Sequence, residues 1–302
     1  MPLASVVSHL WKHPSNRGKR LRTLSRAVMW QLRKRSAGGP MTLPIFNGQK
    51  LLCYPGNRGS GVMIYSSGWP DFDEMYFVAR YLRPGDSFID VGANIGIYSL
   101  LMGSIVGPTG RGVAFEAGSK AYKILCENLA LNQQRHVEVR CVAIGPTEGK
   151  VAFLQNQDLT NRIVAASEAP ADGDFAMMDC TTLDTVLDRP FALGKIDIEG
   201  AEPMAFEGGR QMLSGGKPAV WIMEFKDRLL RKFNWSAEAF AKVVQDLGYR
   251  FGQYDARANE ITFSDRGWVD HENVIVVFES AIDTVRERLA TGPRTFPGAP
   301  AI

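Results

Sequence analysis

The absences narrow this chain first. Its four cysteines, Cys53, Cys126, Cys141 and Cys180, are scattered through 302 residues with no Cys-x-x-Cys pair. Such spacing supplies neither a zinc motif nor a disulfide framework, and it fits a reducing compartment. Cys126 and Cys141 sit in apolar patterns and are expected to be buried thiols. No apolar run reaches the ~18 residues of a membrane-spanning helix. The N-terminus lacks the apolar stretch of a signal peptide, so a cytoplasmic location is expected. A large excess of one charge is missing too: the formal net charge is +3, too little to argue for a nucleic-acid partner. Two nucleotide-binding signatures are also absent. There is no Gly-x-Gly-x-x-Gly, which disfavours an NAD-dependent dehydrogenase, and no glycine loop ending in Gly-Lys-Ser/Thr.

What is present centres on Asp86 to Ser99. Phe88, Ile89 and Val91 form a short apolar run that suits a buried parallel strand. Gly92-Ala-Asn-Ile-Gly96 punctuates it. Ile97, Leu100, Leu101 and Ser104 then recur at helical spacing. Strand, glycine turn and helix together let the backbone approach a ligand closely and aim helix N–H groups at it. Asp90 falls at the carboxyl end of the strand, where open α/β sheets bind ligands. An acid before Gly-x-x-x-Gly suits a cationic or zwitterionic ligand better than a polyphosphate.

Three regions are expected: an extension over 1–70, a catalytic domain over 71–290 and a flexible tail over 291–302. In the extension, Leu21, Leu24, Val28 and Leu32 recur at helical spacing among many Lys and Arg residues. This predicts a basic amphipathic helix, packed on the rest of the protein with its basic face in solvent. A membrane-surface or partner role is the competing expectation. Short strands at 42–46, 50–54 and 62–65, with turns at Asn47-Gly48 and Pro55-Gly56-Asn57, predict a β-hairpin. A helix over 71–82 leads into the first core strand.

Strands then alternate with helical patterns: 112–115, a helix from Ser119 as cap, 137–144, 151–154 and 175–180. Residues 155–174 read as a long functional loop. Lys195 to Glu202 is the second dense motif. Lys195 is expected at the surface. Asp197 and Glu199 are expected on one strand face, with Ile196 and Ile198 on the other. A helix around Met204 and Met212 is weakened at Gly208-Gly209. The strand 219–225 carries Glu224, and a helix over 236–247 and three further strands follow. This alternation predicts a doubly wound, mostly parallel α/β sheet. Asp90, Glu116, Asp197 and Glu224 then end four different strands that face one crevice. Four acids at one sheet edge repel each other and are costly to bury unpaired, so together they indicate a site.

These pieces resemble the FkbM family of methyltransferases: Phe88 to Ser99, Phe115-Glu116, Asn128 to Asn132, Thr182-Leu183-Asp184, Lys195 to Glu202 and Ile222-Met-Glu224. The resemblance spans about half the chain. It implies a Rossmann-like class I methyltransferase fold, S-adenosylmethionine as cofactor and O-methylation of a hydroxyl on a small molecule or glycan. Asp90, Gly92, Asn94, Gly96 and Glu116 would then bind the cofactor, with Glu116 on the ribose. Asp197, Glu199 and Glu224 would supply the base or position the acceptor. No metal is assigned, although Asp197 and Glu199 would offer oxygen ligands to a divalent ion. One departure stands out. The family usually has Pro after the second-strand acid, whereas this chain has Ala117-Gly118, which is expected to loosen that turn.

Two rivals remain. One is a non-catalytic protein that keeps the cofactor fold and binds a partner or membrane through its basic N-terminus. The other, a nucleic-acid methyltransferase, is not expected: there is no Asn/Asp-Pro-Pro-aromatic motif, and the stacking aromatics of a base-flipping pocket are sparse. His271 is a reserve candidate for the base, and His136 is assigned no role. The oligomeric state is left open.

Overall fold

The computed structural model describes residues 8, 10–36, 38–154, 162–163, 175–269, 273–300 and 302. The strands are β1 (Met41–Pro44), β2 (Lys50–Cys53), β3 (Ser87–Val91), β4 (Arg111–Phe115), β5 (Val137–Arg140), β6 (Ala143–Ile144), β7 (Gly149–Leu154), β8 (Arg162–Ile163), β9 (Phe175–Thr181), β10 (Leu193–Ile196), β11 (Val220–Glu224), β12 (Tyr249–Asp255), β13 (Glu260–Phe263) and β14 (Asn273–Phe278). The helices that matter here are α1 (Arg20–Arg35), α2 (Arg58–Tyr65), α3 (Phe72–Tyr81), α4 (Ile97–Val106), α5 (Ser119–Leu131), α6 (Glu202–Glu207), α7 (Arg210–Leu213), α8 (Ala237–Asp246) and α9 (Ile282–Thr291).

Eight strands form the main sheet in the order β13-β12-β14-β11-β10-β3-β4-β5. The run from β11 to β5 is parallel, and β14, β12 and β13 add antiparallel strands at one side. From β3 the chain builds outward through β4 to β5, then returns to place β10 and β11 on the other flank. The order therefore reverses between β3 and β10, and a crevice opens at their carboxyl ends. Alternate side chains feed two cores. Phe88, Leu193, Ile222 and Ile275 pack with Phe77 of α3 and Leu101 of α4. Ile89, Val91, Ile196 and Met223 pack with Phe240 and Val244 of α8. This is the expected doubly wound sheet.

Several local expectations change. Val137 to Ile144 is not one strand: β5 stays in the main sheet, while β6 joins a second sheet of order β6-β9-β7-β8. The hairpin is β1 and β2 only, because Val62 to Tyr65 lies in α2. Asn57 caps that helix by accepting from the Ser60 N–H, which overrides the β-branched pattern that suggested a strand. Ser119 is the first residue of α5, and Gly118 takes the cap position. The chain does break at Gly208-Gly209, between α6 and α7. Cys53 and Cys180 are the buried thiols, whereas Cys126 is half-buried and Cys141 exposed. The loop over 155–174 lies outside the described residues apart from β8.

The ends of the chain are attached to the body. Helix α9, which the pattern did not reveal, buries Val285 and Leu289 and pairs Arg288 with Asp86 at 2.6 Å. Beyond it, where a flexible tail is expected, Pro297 accepts from the Asn47 N–H and Phe296 lies beside Trp69. Helix α1 packs on α2, but by an unexpected face. Its buried residues are Thr23, Ala27 and Trp30, while Leu21, Leu24, Val28 and Leu32 are exposed.

Candidate functional site

Register brings the acids together. Asp90 in β3 lies opposite Lys195 in β10, and Val91 opposite Ile196. Phe115 is the last residue of β4, so Glu116 emerges one position beyond its edge. Asp197 follows the end of β10, and Glu224 ends β11. Seven of the eight candidate residues, Asp90, Gly92, Asn94, Glu116, Asp197, Glu199 and Glu224, line one cavity of about 220 Å³. The eighth, Gly96, caps α4 with φ +92° and is not among the lining residues.

The turn after β3 is built for close approach. Gly92 and Ala93 both donate N–H to the Phe115 carbonyl at 2.9 Å. Gly92 has φ +81°, and a Cβ there would stand 1.9 Å from the Asp197 carbonyl oxygen. Only glycine fits both conditions. Asn94 also has a positive φ, which asparagine tolerates better than most residues. Its backbone N–H donates to Glu116 Oε2 at 2.8 Å, and the Gly118 N–H donates to Glu116 Oε1 at 2.7 Å. Glu116 thus ties the two strand-end turns together. The Ala117-Gly118 departure does not leave it loose, because a backbone donor holds each carboxylate oxygen. Burial still pushes Glu116 up to about 7 against those bonds.

Asp90 is 1% exposed. Its Oδ2 accepts from Ser99 Oγ at 2.6 Å, and its Oδ1 has no partner among the described residues. The Asn94 Oδ1 is similarly orphaned. Buried polar atoms without partners are uncommon and mark places a ligand can complete.

Lys195 corrects the surface expectation. It is 7% exposed, its Nζ lies 3.1 Å from Asp197 Oδ2, and it sits over the Tyr98 ring. Position decides this: β10 is central, and Lys195 stands beside Asp90 in a strand buried throughout. A lone lysine in an otherwise apolar central strand is the signal that could have revealed it. Asp71 and Tyr98 were missed as well; both line the cavity, and the Tyr98 hydroxyl donates to Asp71 Oδ2 at 2.9 Å. Their signal is weak, since each reads as an ordinary helix-start or helix residue.

The Asp197–Glu199 segment is not a strand with both acids on one face. β10 stops at Ile196, and Glu199 has φ +59°, in the left-handed region. The turn is pinned from below: Glu202, 1% exposed, accepts from the Ile198 N–H at 2.8 Å. The acids converge nonetheless, with one oxygen each of Asp197, Glu199 and Glu224 within 4.8 Å of one another. Two ammonium groups already offset this charge, since Lys226 donates to Glu224 Oε1 at 2.8 Å and Lys195 pairs with Asp197. Burial raises the Asp197 carboxyl, but Lys195, together with Lys226 and a hydrogen bond from Glu224, outweighs it and holds the group low. Burial and the neighbouring Asp197 push Glu199 up, and they push Glu224 to about 9. His271 lies outside the described residues. His136 bonds the Gly103 carbonyl and is not among the lining residues.

These shifts fix a pH dependence. Glu116, Glu202 and Glu224 are raised by burial to about 7, 7 and 9, against about 4.3 in an unfolded chain. Between those values the folded protein binds more protons than the unfolded one, so stability falls as pH rises. Thermal melts of the ligand-free protein should therefore show a midpoint that drops from pH 5 to pH 8. A midpoint that climbs over that range would mean that the backbone hydrogen bonds and Lys226 outweigh burial at these carboxylates.

A sequence profile described as the Methyltransferase FkbM domain matches residues 90–251, more than half of the chain. No curated protein matches in sequence. Among solved structures, the methyltransferase FkbM of Methylobacillus flagellatus is similar over 72% of this chain at 15% identity, TM-score 0.42. This chain spans 52% of that protein's length. A tRNA (uracil-54, C5)-methyltransferase of Pyrococcus abyssi, in complex with S-adenosyl-L-homocysteine, is similar over 80% of this chain and 44% of its own, at 12% identity and TM-score 0.42. An S-adenosylmethionine-dependent O-methyltransferase of Thermotoga maritima is similar over 67% of this chain and 63% of its own, at 15% identity and TM-score 0.36. These likenesses run across RNA and O-methyl enzymes alike, so they do not choose between acceptors.

Proposed function

The chain belongs to the FkbM methyltransferase family, and we propose that it transfers a methyl group from S-adenosylmethionine to a hydroxyl of a small molecule or glycan. The observation that carries the cofactor reading is the orphaned Asp90 Oδ1, buried beside a turn that only glycine can make. Asp90 would hold the ammonium of the methionine part, and the orphaned Asn94 Oδ1 would accept a further hydrogen bond. Glu116, fixed by two backbone amides, would accept from the ribose hydroxyls. The bound cofactor supplies an electrophilic methyl on a sulfonium.

The remaining acids face the acceptor in this reading. Asp197 is kept ionised by Lys195 and is a weak base; it would orient the acceptor hydroxyl. Glu224, pushed up to about 9 while Lys226 holds its Oε1, would donate from its other oxygen. Glu199, raised but less enclosed, is best matched to take the proton as the hydroxyl attacks. The cavity wall holds Asp71, Asp90, Glu116, Asp197, Glu199 and Glu224 against Lys195. Such a wall disfavours a polyanion, because nucleic-acid binders neutralise phosphates with basic groups. This supports an uncharged hydroxyl acceptor over RNA.

Calorimetry tests the cofactor. S-adenosylmethionine or its demethylated product should bind and NAD should not. Glu116→Gln should weaken binding by about 1.5–3 kcal/mol, the range for hydrogen bonds to a charged group. Glutamine is the milder probe, because alanine would leave both the Asn94 and Gly118 N–H groups unpaired and glutamine only one of them. NAD binding alone would overturn the assignment. With labelled cofactor, transfer to RNA but not to hydroxyl-bearing glycans or small molecules would overturn the acceptor class.

A further inference from the structure

Residues 1–70 contain 11 of the 35 Lys and Arg residues and no acid; the first acidic residue is Asp71. The remaining 24 basic residues face all 32 acids in the rest of the chain. A chain with a net charge of only +3 is therefore sharply polarised. Helix α1 carries six of those basic residues and no acid.

Its packing is the second observation. Thr23, Ala27 and Trp30 seat α1 on the body, and Trp30 is fully enclosed. Asn16 Nδ2, just before the helix, donates to the Tyr65 carbonyl at 2.8 Å, and Gln31 Nε2 donates to the Tyr65 hydroxyl. The helix is fixed in rotation, and the opposite face carries Leu21, Leu24, Val28, Met29 and Leu32. These are 79%, 38%, 53%, 59% and 60% exposed. At about 100° per residue they fall within a sector of roughly 140°. Arg22 and Arg33 border it on one side and Arg20 on the other, while Ser25 and, at the C-terminal end, Arg35 fall inside it. Arg20 lies over the ring of Trp11, itself 53% exposed. Single exposed leucines are normal, but a contiguous apolar stripe edged by charge marks an interaction surface.

We propose that α1 docks the protein on an anionic lipid bilayer, with this apolar stripe in the headgroup–acyl boundary and the flanking arginines on the lipid phosphates. An apolar sector between borders of arginine is the pattern of an interfacial helix. The acid-free first 70 residues complement an anionic leaflet. A single basic residue would not discriminate between a lipid surface and an acidic protein. A convex helix with five large apolar side chains, whose one polar neighbour on that face, Ser25, turns its hydroxyl to the Arg22 carbonyl, fits a fluid apolar boundary better. Helix α2, on which α1 sits, contributes Gly59 and Val62 to the cavity wall. The membrane face and the cavity are thus one helix apart. This inference stands whether or not the acceptor reading holds.

Sedimentation of the full chain with vesicles tests it. Vesicles of phosphatidylcholine with phosphatidylserine should carry the protein down, and phosphatidylcholine alone should carry far less. The double variant Leu24→Glu with Val28→Glu should reduce partitioning at least about tenfold, since each removes a side chain's worth of apolar burial. Arg22→Gln and Arg35→Gln should each cost about fivefold and flatten the salt dependence. Both positions are exposed, and circular dichroism and thermal melting of each variant confirm that it is folded. Failure of the wild type to bind anionic vesicles overturns the proposal, as does undiminished binding by the folded double variant. A wild-type dimer that the double variant abolishes, without vesicle binding, also overturns it and assigns the stripe to a second copy.

Discussion

Glu199→Gln is expected to lower turnover by roughly 10²–10⁴-fold, the usual range for losing a positioned base, with cofactor affinity little changed. The expectation rests on three features of one residue. Glu199 is held at φ +59°, a costly conformation for glutamate that tends to persist where function requires it. It lies with Asp197 and Glu224 around a common point. Its proton affinity is raised by burial and by Asp197 more than Lys226, Lys232 and Arg228 lower it. Asp197→Asn should also reduce turnover, and it should loosen Lys195 as well. Single-turnover rates with labelled cofactor, set beside calorimetric affinities, separate chemistry from binding. Near-full turnover in both variants would move the base to Glu224. A chelator adds a further arm: activity lost and then restored by Mg²⁺ would assign the three carboxylates to a metal, and indifference would support their direct action.

Gly92→Ala is expected to destabilise the protein by about 2–5 kcal/mol, combining ~1–2 for the left-handed backbone with ~1–3 for overpacking. A Cβ at Gly92 would meet the Asp197 carbonyl carbon and oxygen at 2.9 and 1.9 Å. That neighbour is backbone, so the β3 and β10 ends would have to part. Gly48→Ala is the control. Gly48 has φ +72° with nothing within 4 Å of a Cβ, so it should show the backbone cost alone. Denaturant titration of both variants measures the difference. Equal losses would mean that the turn after β3 yields easily and does not hold Asp197 in place.

The motif after β3 was legible because its chemistry is local. An apolar run, an acid and two glycines in fourteen residues permit few conformations, and the strand, turn and helix follow. The four strand-end acids were legible for a related reason: alternation of strand and helix predicts one sheet, and one sheet has one carboxyl edge. The approach of Asp197 to Glu199 was expected from strand alternation but arises from a turn. β10 ends early because its neighbour β3 ends at Val91, whose carbonyl accepts from the Asp197 N–H at 3.0 Å.

By itself, the sequence determined the doubly wound sheet, its crevice and the residues at the crevice edge, since these depend on periodicity and on glycine's backbone freedom. Only the tertiary structure decided what burial does to charges and surfaces. Lys195 is a cavity residue because β10 is central, and strand order is a long-range property. Thr23, Ala27 and Trp30 seat α1 while its more apolar stripe faces outward. Shape decides that choice: a small face with one tryptophan fits against α2, and periodicity records only that two faces differ.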